Sequence, residues 1–323
     1  MRQRAGRGAT RREGLREGPD GGPGEGSGRG LDGVSGGVSG KGSGTGRGGA
    51  GREGHRPGLY AAVAAGGFRR YATYGTATAA GVFTNTVFGF IVAYTYIALW
   101  DERPGLGGYD QAQALTFVWV SQAMLAAASL LGGGFQEEVQ ERIRTGDIAV
   151  DLYRPADLQL WWLAADLGRA AFQLLGRGVV PLLAGALAFR LALPADPARW
   201  LLFAVSVVLA LTVSFAVRYL LGLAAFWLMD GAGINMMAAV VTIFFSGMLL
   251  PLTVFPGGFG ELVRLLPWSA MLQVPLDVLL GTHAGAGGAA RALAFQAGWA
   301  LVLLGAGRLV QSAATRKVVI QGG

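Results

Sequence analysis

Few residues in this chain could do chemistry. It holds no cysteine and two histidines, His55 and His283, so thiolate nucleophiles, disulfides and Cys/His metal centres are excluded. His283 stands in GTHAGAGG with no companion histidine, and Asp277 lies six residues before it. Ser246, beside Gly247, has no base near it in the sequence. Acyl transfer or proteolysis needs a nucleophile, a base and an orienting group in mutual reach, and these residues do not supply them. GVSGKGSGTG, residues 37–46, resembles a phosphate loop only briefly. Gly40-Lys41 is followed by Gly42 rather than Ser or Thr, and Ser35 stands where the first glycine belongs. No strand precedes it, so ATP chemistry is not expected on this chain, and no metal site is expected either.

What remains is charge in an unusual place. EEVQERIRTGDIAVDLYRP, Glu137 to Pro155, carries eight charged side chains between two long apolar runs. Glu137, Glu138 and Glu141 open a helical stretch and Arg142 and Arg144 close it, an order that complements the helix dipole. Gly146 suits a helix end with positive φ, and a second short piece, DIAVDLYR, stops before Pro155. Ile143, Ile148 and Leu152 are apolar residues that a solvated connector has no need of. Two readings fit: a segment that docks on another protein, or an amphipathic loop lying on its own lipid surface.

The rest of the sequence says why such a loop exists. Apolar residues make up 52% of the chain and charged residues only 15%, with a mean hydropathy of +0.43. Soluble domains carry about 25% charged residues, so the balance is that of a membrane protein. Crossing the hydrocarbon takes about 20 apolar residues. On that measure six spans are expected, at about 77–100, 112–134, 168–191, 200–228, 236–255 and 289–311. An even number puts both termini on one side. Nine basic residues (Arg56, Arg69, Arg70, Arg142, Arg144, Arg154, Arg308, Arg316 and Lys317) fall on that side, against Arg103, Arg190, Arg199, Arg264 and Arg291 on the other. The bias places the termini and the charged loop in the cytosol.

Residues 1–58 hold eleven Lys/Arg, six Asp/Glu and no aromatics, a balance of +5 against +7 for the whole chain. Such a Gly/Arg-rich tail cannot bury enough surface to fold, and without aromatics it offers nucleic acid nothing to stack on. Residues 59–323 form the expected membrane domain. LYAAVAAGGFRRYATYG, ahead of the first span, reads either as an interfacial helix or as an aromatic belt. Arg177 and Arg218 fall inside spans, where ionisable groups are costly. They either snorkel or pair structurally, with Asp166 or Asp230 open to Arg177, or they face a transport path. Gly176, Gly178, Gly185, Gly305 and Gly307 are expected to permit close helix packing. Finally, SGMLLPLTVFPGGFGELVRLLPWSAMLQVPLDVLLG is broken by Pro251, Pro256, Pro267 and Pro275, with Gly258 between them, into pieces of about ten residues, too short to cross. Short apolar half-helices of this kind make a re-entrant hairpin.

Three motifs in order, GDIAVDLYRP, FWLMDGAGI and SGMLLPLTVFP with LLPW and PLDVLLG, resemble the integral-membrane subunits of ABC-2 type transporters. The branch they are most similar to is that of the daunorubicin- and viologen-resistance exporters. The resemblance covers about residues 60–315. It implies six spans, a cytosolic coupling helix between the second and third, and an outer re-entrant hairpin before the sixth. It also implies a plasma-membrane location, a separate ATP-binding subunit that carries ATP and Mg, and a second permease subunit, identical or paralogous. Glu138, Glu141, Arg142, Ile143, Gly146, Asp147, Leu152 and Arg154 would then be the ATPase-coupling residues. The cargo would be exported, and apolar spans fit a hydrophobic or amphipathic one. A non-transporting membrane scaffold or immunity protein is the alternative, and the charged loop is what speaks against it.

Overall fold

The computed structural model describes residues 57–228, 231–282 and 287–321. The tail up to residue 56, with the glycine run 37–46 and His55, lies outside the described residues, as do Asp230 and His283. Every regular element among the described residues is helical. In hydrocarbon a helix is the one open structure that satisfies its own backbone.

The chain begins with α1 (Pro57–Ala72), α2 (Gly75–Glu102), α3 (Gln111–Ala127), α4 (Phe135–Thr145) and α5 (Ile148–Leu152). Next, α6 (Leu158–Gln173) passes through a π turn at Leu174–Gly178 into α7 (Val179–Ala188). After these come α8 (Pro197–Leu223), α9 (Ala232–Ser246), α10 (Gly257–Leu265), α11 (Gln273–Leu280) and α12 (Gly288–Gln321). Three helices start on aspartate caps, which satisfy backbone donors where the chain enters the helix. Asp110 accepts from Gln113 N at 2.8 Å, Asp157 from Leu160 N at 2.8 Å, and Asp196 from Ala198 N at 2.9 Å.

Among the described residues four helices are long and apolar enough to cross a membrane: Gly75–Glu102, Leu158–Ala188, Pro197–Phe226 and Gly288–Arg316. The third of the expected spans begins ten residues early, at Leu158, because Asp166 and Arg169 lie inside the helix and neutralise each other there. The other two expected spans are shorter than their apolar runs. α3 has 17 residues and stops at Ala127, since Gly132, Gly133 and Gly134 take φ of 81, 85 and 78° and turn the chain into α4. α9 has 15 residues and ends where Gly247 adopts φ 92°. The proline-rich stretch forms two short helices of 9 and 8 residues, α10 and α11. Pro256 caps α10, Pro267 follows it, and Pro275 sits in the first turn of α11. All eight residues of α11 are buried.

Packing relies on small residues facing large ones. Trp119 of α3 is fully buried between Gly89 of α2 and Gly185 of α7. A methyl group on either glycine would fall 2.6 or 2.2 Å from the indole. Gly178 meets the Ala123 carbonyl and Gly307 meets Gln159, whereas Gly305 faces open space. The segment before the first long helix is itself a helix, α1, seated on α6. Its Gly67 approaches the Ala165 carbonyl and Gly168 of α6 approaches that of Ala64, with Phe68 edge-on to Phe172 at 5.4 Å.

That crossing makes a prediction. A Cβ at Gly168 would lie 1.9 Å from the Ala64 carbonyl oxygen, while one at Gly66 would meet nothing within 4 Å. Overpacking costs about 1–3 kcal/mol, and Ala in place of Gly on an exposed helix face gains up to ~1 kcal/mol. Gly168→Ala should therefore melt several degrees lower in detergent, and Gly66→Ala at the same temperature or higher. Equal melting temperatures would show that α1 is not seated there.

Candidate functional site

The charged segment folds back on itself. Gly146 ends α4 with φ 84°, the left-handed conformation that glycine adopts without strain, and α5 follows at once. Asp151 lies at the fold, 2% exposed, between Arg142 Nη1 at 3.0 Å and Arg154 Nη2 at 3.1 Å. Arg154 also covers the Trp161 ring at 5.1 Å. Glu138 receives Arg70 of α1 at 2.9 Å and Arg142 at 3.9 Å. Its hydrogen bond and charge hold the Arg70 guanidinium above its ordinary pKa.

The apolar residues divide between two faces. Ile148 is buried, and Ile143 and Leu152 are half-buried, in a cluster with Phe135, Val139, Trp162, Phe215 and Tyr219. Ile143 and Leu152 thus face this chain's own core. The outward face carries Glu141, Arg144, Asp147, Val150 and Tyr153, with Val150 62% and Tyr153 89% exposed. Val150 and Tyr153 escaped the sequence reading, although the three-residue spacing within IAVDLY places them on one helical face. Asp151 escaped it too, although Arg154 three residues on was the signal.

Two buried glutamines tie this element to the membrane helices. Gln136 and Gln140, each 2% exposed, donate to Asn235 Oδ1 at 2.6 and 3.0 Å, and Asn235 Nδ2 donates to Gln140 Oε1 at 2.9 Å. Gln140 also donates to the Leu221 carbonyl at 3.2 Å. Asn235 stands in the first turn of α9, so α4 grips that helix directly.

Of the two arginines singled out by sequence, Arg218 pairs structurally. It meets Asp166 at 2.6 Å and lies 4.9 Å over the Phe135 ring. Arg169 takes the other Asp166 oxygen at 2.6 Å and donates to the Ala126 and Ala127 carbonyls at 2.9 and 2.8 Å. Arg177 does not reach Asp166, whose oxygens are taken. Its guanidinium crosses Gly81 of α2, and its buried Nε lacks a hydrogen-bond partner. Around it, Asn85 donates to the Gln122 carbonyl at 3.5 Å, and the buried Gln122 and Gln173 each keep an unpartnered side-chain oxygen.

At the far ends of α2 and α8 stands a second polar group. Tyr109 donates to Asp277, and Gln273 bridges the Tyr109 hydroxyl at 2.7 Å and both Asp277 oxygens at 3.1 Å. Gln273 Oε1 accepts from Leu252 N at 2.8 Å. Burial first, and then the Asp277 carboxylate, raise the Tyr109 phenol well above its ordinary pKa. The network binds α11 and the turn after Pro251 to the α2–α3 connection, with Pro251, Pro267 and Pro275 buried and Pro256 and Gly258 exposed.

The profile of the ABC-2 family transporter proteins matches residues 82–322. The chain belongs to that family. No curated protein and no solved structure matches it. As an ABC-2 family member it is a multi-pass membrane protein and a component of a transporter, and the charged element α4–α5, the arginine cluster and the Tyr109 network are polar groups within it. The arginine cluster sets its stability. Removing the shared counter-charge of a buried pair costs about 3–5 kcal/mol, whereas an exposed pair is worth about 0–1 kcal/mol. Asp166→Asn should therefore abolish the monodisperse peak in size-exclusion chromatography after mild heating, and Glu138→Gln should leave it intact. A stable Asp166→Asn protein would mean that water reaches the cluster.

Proposed function

We propose that the chain is the permease subunit of an ATP-binding-cassette exporter, with α4–α5 as the element that receives force from a separate ATP-binding subunit. The observation that carries this reading is the outward pair Val150 and Tyr153 on a short helix whose other side is pinned by Asp151, Arg142 and Arg154. An exposed tyrosine beside a valine, ringed by charge, has the composition of an interface core with a polar rim. A scaffold has no use for it. In this reading α3 and α9 complete six spans, and α10–α11 are the re-entrant hairpin on the outer face. Both termini lie in the cytosol of a plasma-membrane protein, and the Gly/Arg-rich tail ahead of α1 takes no part in transport. ATP and Mg are held by the partner subunit, and a second permease subunit completes the path. Surrounding lipid and a hydrophobic or amphipathic cargo fit the apolar spans, and nucleic acid has no part.

Force would travel from α4 to α9 through Gln136, Gln140 and Asn235, so that closure of the ATPases tilts α9 and switches the cavity between its two openings. Glu138, Glu141, Arg142, Ile143, Gly146, Asp147, Leu152 and Arg154 serve the element in different ways. Glu141 and Asp147 face the partner, and the others hold the shape. Because Leu152 packs inward, a charge there would damage the permease itself, and Tyr153 is the better probe. Tyr153→Asp should leave protein abundance and melting unchanged while co-purification of the ATP-binding subunit falls at least tenfold, about 1.4 kcal/mol. Undiminished co-purification would make the loop a connector only.

Orientation is tested in the same cysteine-free chain. Gly107 and Gly146 have positive φ and would be strained by a side chain, so exposed positions without that constraint serve better. Cysteines at Glu102 and Gly258 should react with an impermeant maleimide in intact cells, and one at Thr145 only after lysis. The opposite pattern would invert the topology.

A further inference from the structure

The Tyr109 network forms the floor of a cavity of about 450 Å³, a size typical of small-molecule sites. It opens between the α2–α3 connection, α10, α11 and the start of α12, and no part of the coupling mechanism uses it. Among the described residues its lining is unequal in charge. Arg264 and Arg291, both exposed residues, bring two guanidiniums, and Asp277 brings one carboxylate. That carboxylate already accepts from Tyr109, Gln273 and Thr282, the last at 3.0 Å. It has little capacity left to recruit a cation. Gly288, the first residue of the 34-residue α12, borders the same space. The first-turn N–H groups of a long helix favour negative charge. One wall is apolar, made by Val274, Leu265 and Phe295.

We propose that this cavity binds the phosphate group of an amphipath, with Arg264 and Arg291 on the phosphate and Phe295 and Val274 against the first carbons of the tail. Guanidiniums suit phosphate because they offer two parallel donors at fixed spacing, and a wall of mixed character selects a headgroup joined to an apolar chain. The inference rests on residues of this chain alone. It needs the proposed function only to place the cavity on the outer side, so a failure of ATPase docking would leave it standing.

The test is native mass spectrometry of the purified full chain with three additives: dioleoylphosphatidylglycerol, dioleoylglycerol, and millimolar inorganic phosphate as competitor. Phosphatidylglycerol should bind and dioleoylglycerol, which lacks the phosphate, should not. Arg264→Gln with Arg291→Gln should lower phosphatidylglycerol occupancy at least tenfold. Arg103→Gln with Arg190→Gln, which removes equal charge from residues outside the lining, should leave it unchanged. The single Arg264→Glu, at an exposed position, should act like the cavity pair, and wild-type melting curves for all variants confirm that they fold. Displacement of the lipid by inorganic phosphate would support the phosphate site and name the free anion as a ligand. Failure to displace it would assign the site to the lipid headgroup. Equal occupancy in the two double variants, or equal binding of dioleoylglycerol, would overturn the proposal.

Discussion

Asp166 shared between Arg169 and Arg218 is the constraint around which the membrane domain is arranged. Three ionised groups lie 1–5% exposed at their side chains, in surroundings where one unpaired charge would be prohibitive. Two positive charges on one negative leave an excess, and the fold meets it with backbone. Arg169 donates to the Ala126 and Ala127 carbonyls, the exposed end of α3, where the helix dipole is negative. Ser214 hydrogen-bonds the next carbonyl, that of Ala128, and receives Arg218 Nε at 3.3 Å. The cluster thus fixes where α3 must stop, how α6 and α8 must face each other, and where Phe135 begins α4 beneath the Arg218 guanidinium. The early end of α3 leaves the Ala127 and Ala128 carbonyls to Arg169 and Ser214.

The same logic repeats at the other end of α8. Arg199, at its start, lies against Gly281 at the end of α11, and Arg218 stands nineteen residues further on, about 28 Å along a helix. Between them the packing is close, centred on Trp119 and the glycines that admit it, and Ser206 of α8 donates to Gln296 of α12 at 2.7 Å. Polar groups in hydrocarbon have no solvent to fall back on, so each satisfied set selects one arrangement of its helices. A domain held at two ends by such sets and packed through its middle moves as a block.

What the sequence made legible follows from this. Hydropathy located the four helices that are long and apolar enough to cross among the described residues, because length and composition carry that signal without neighbours, and the turn at Gly146 and the proline breaks were readable for the same local reason. Helix ends differ from expectation where tertiary partners decide them: the third span, expected from 168, begins at Leu158 in a helix that holds Asp166 against Arg218, and the second, expected to 134, stops at Ala127. In the charged element the residue types singled out Ile143 and Leu152, which pack inward, and passed over Val150 and Tyr153, which face out. Ile143 and Leu152 are apolar and drew attention, yet apolar residues near a core are taken by it, and the ones left for a partner are those the fold turns away. Only the packing of Phe135, Ile148 and Trp162 says which those are. Arg177 keeps a buried Nε without a hydrogen-bond partner, as Gln122 and Gln173 keep their side-chain oxygens.

α9 departs from the block. Only Thr242 and Ser246 of its fifteen residues are buried, and Met236, Met237 and Phe244 are more than half exposed. An apolar helix gains nothing by preferring protein to lipid tails, since both are equally dry. Its position is therefore set by polar contacts, and at its start these come from Asn235 in the grip of Gln136 and Gln140. Such side-chain hydrogen bonds within a membrane average about 0.6 kcal/mol each. Three of them join the first turn of α9 to α4. α9 is thus held at its start by Asn235 and at its end by the buried Ser246 and by Phe245, which packs on Trp268 at 6.1 Å, with a lipid-facing stretch between.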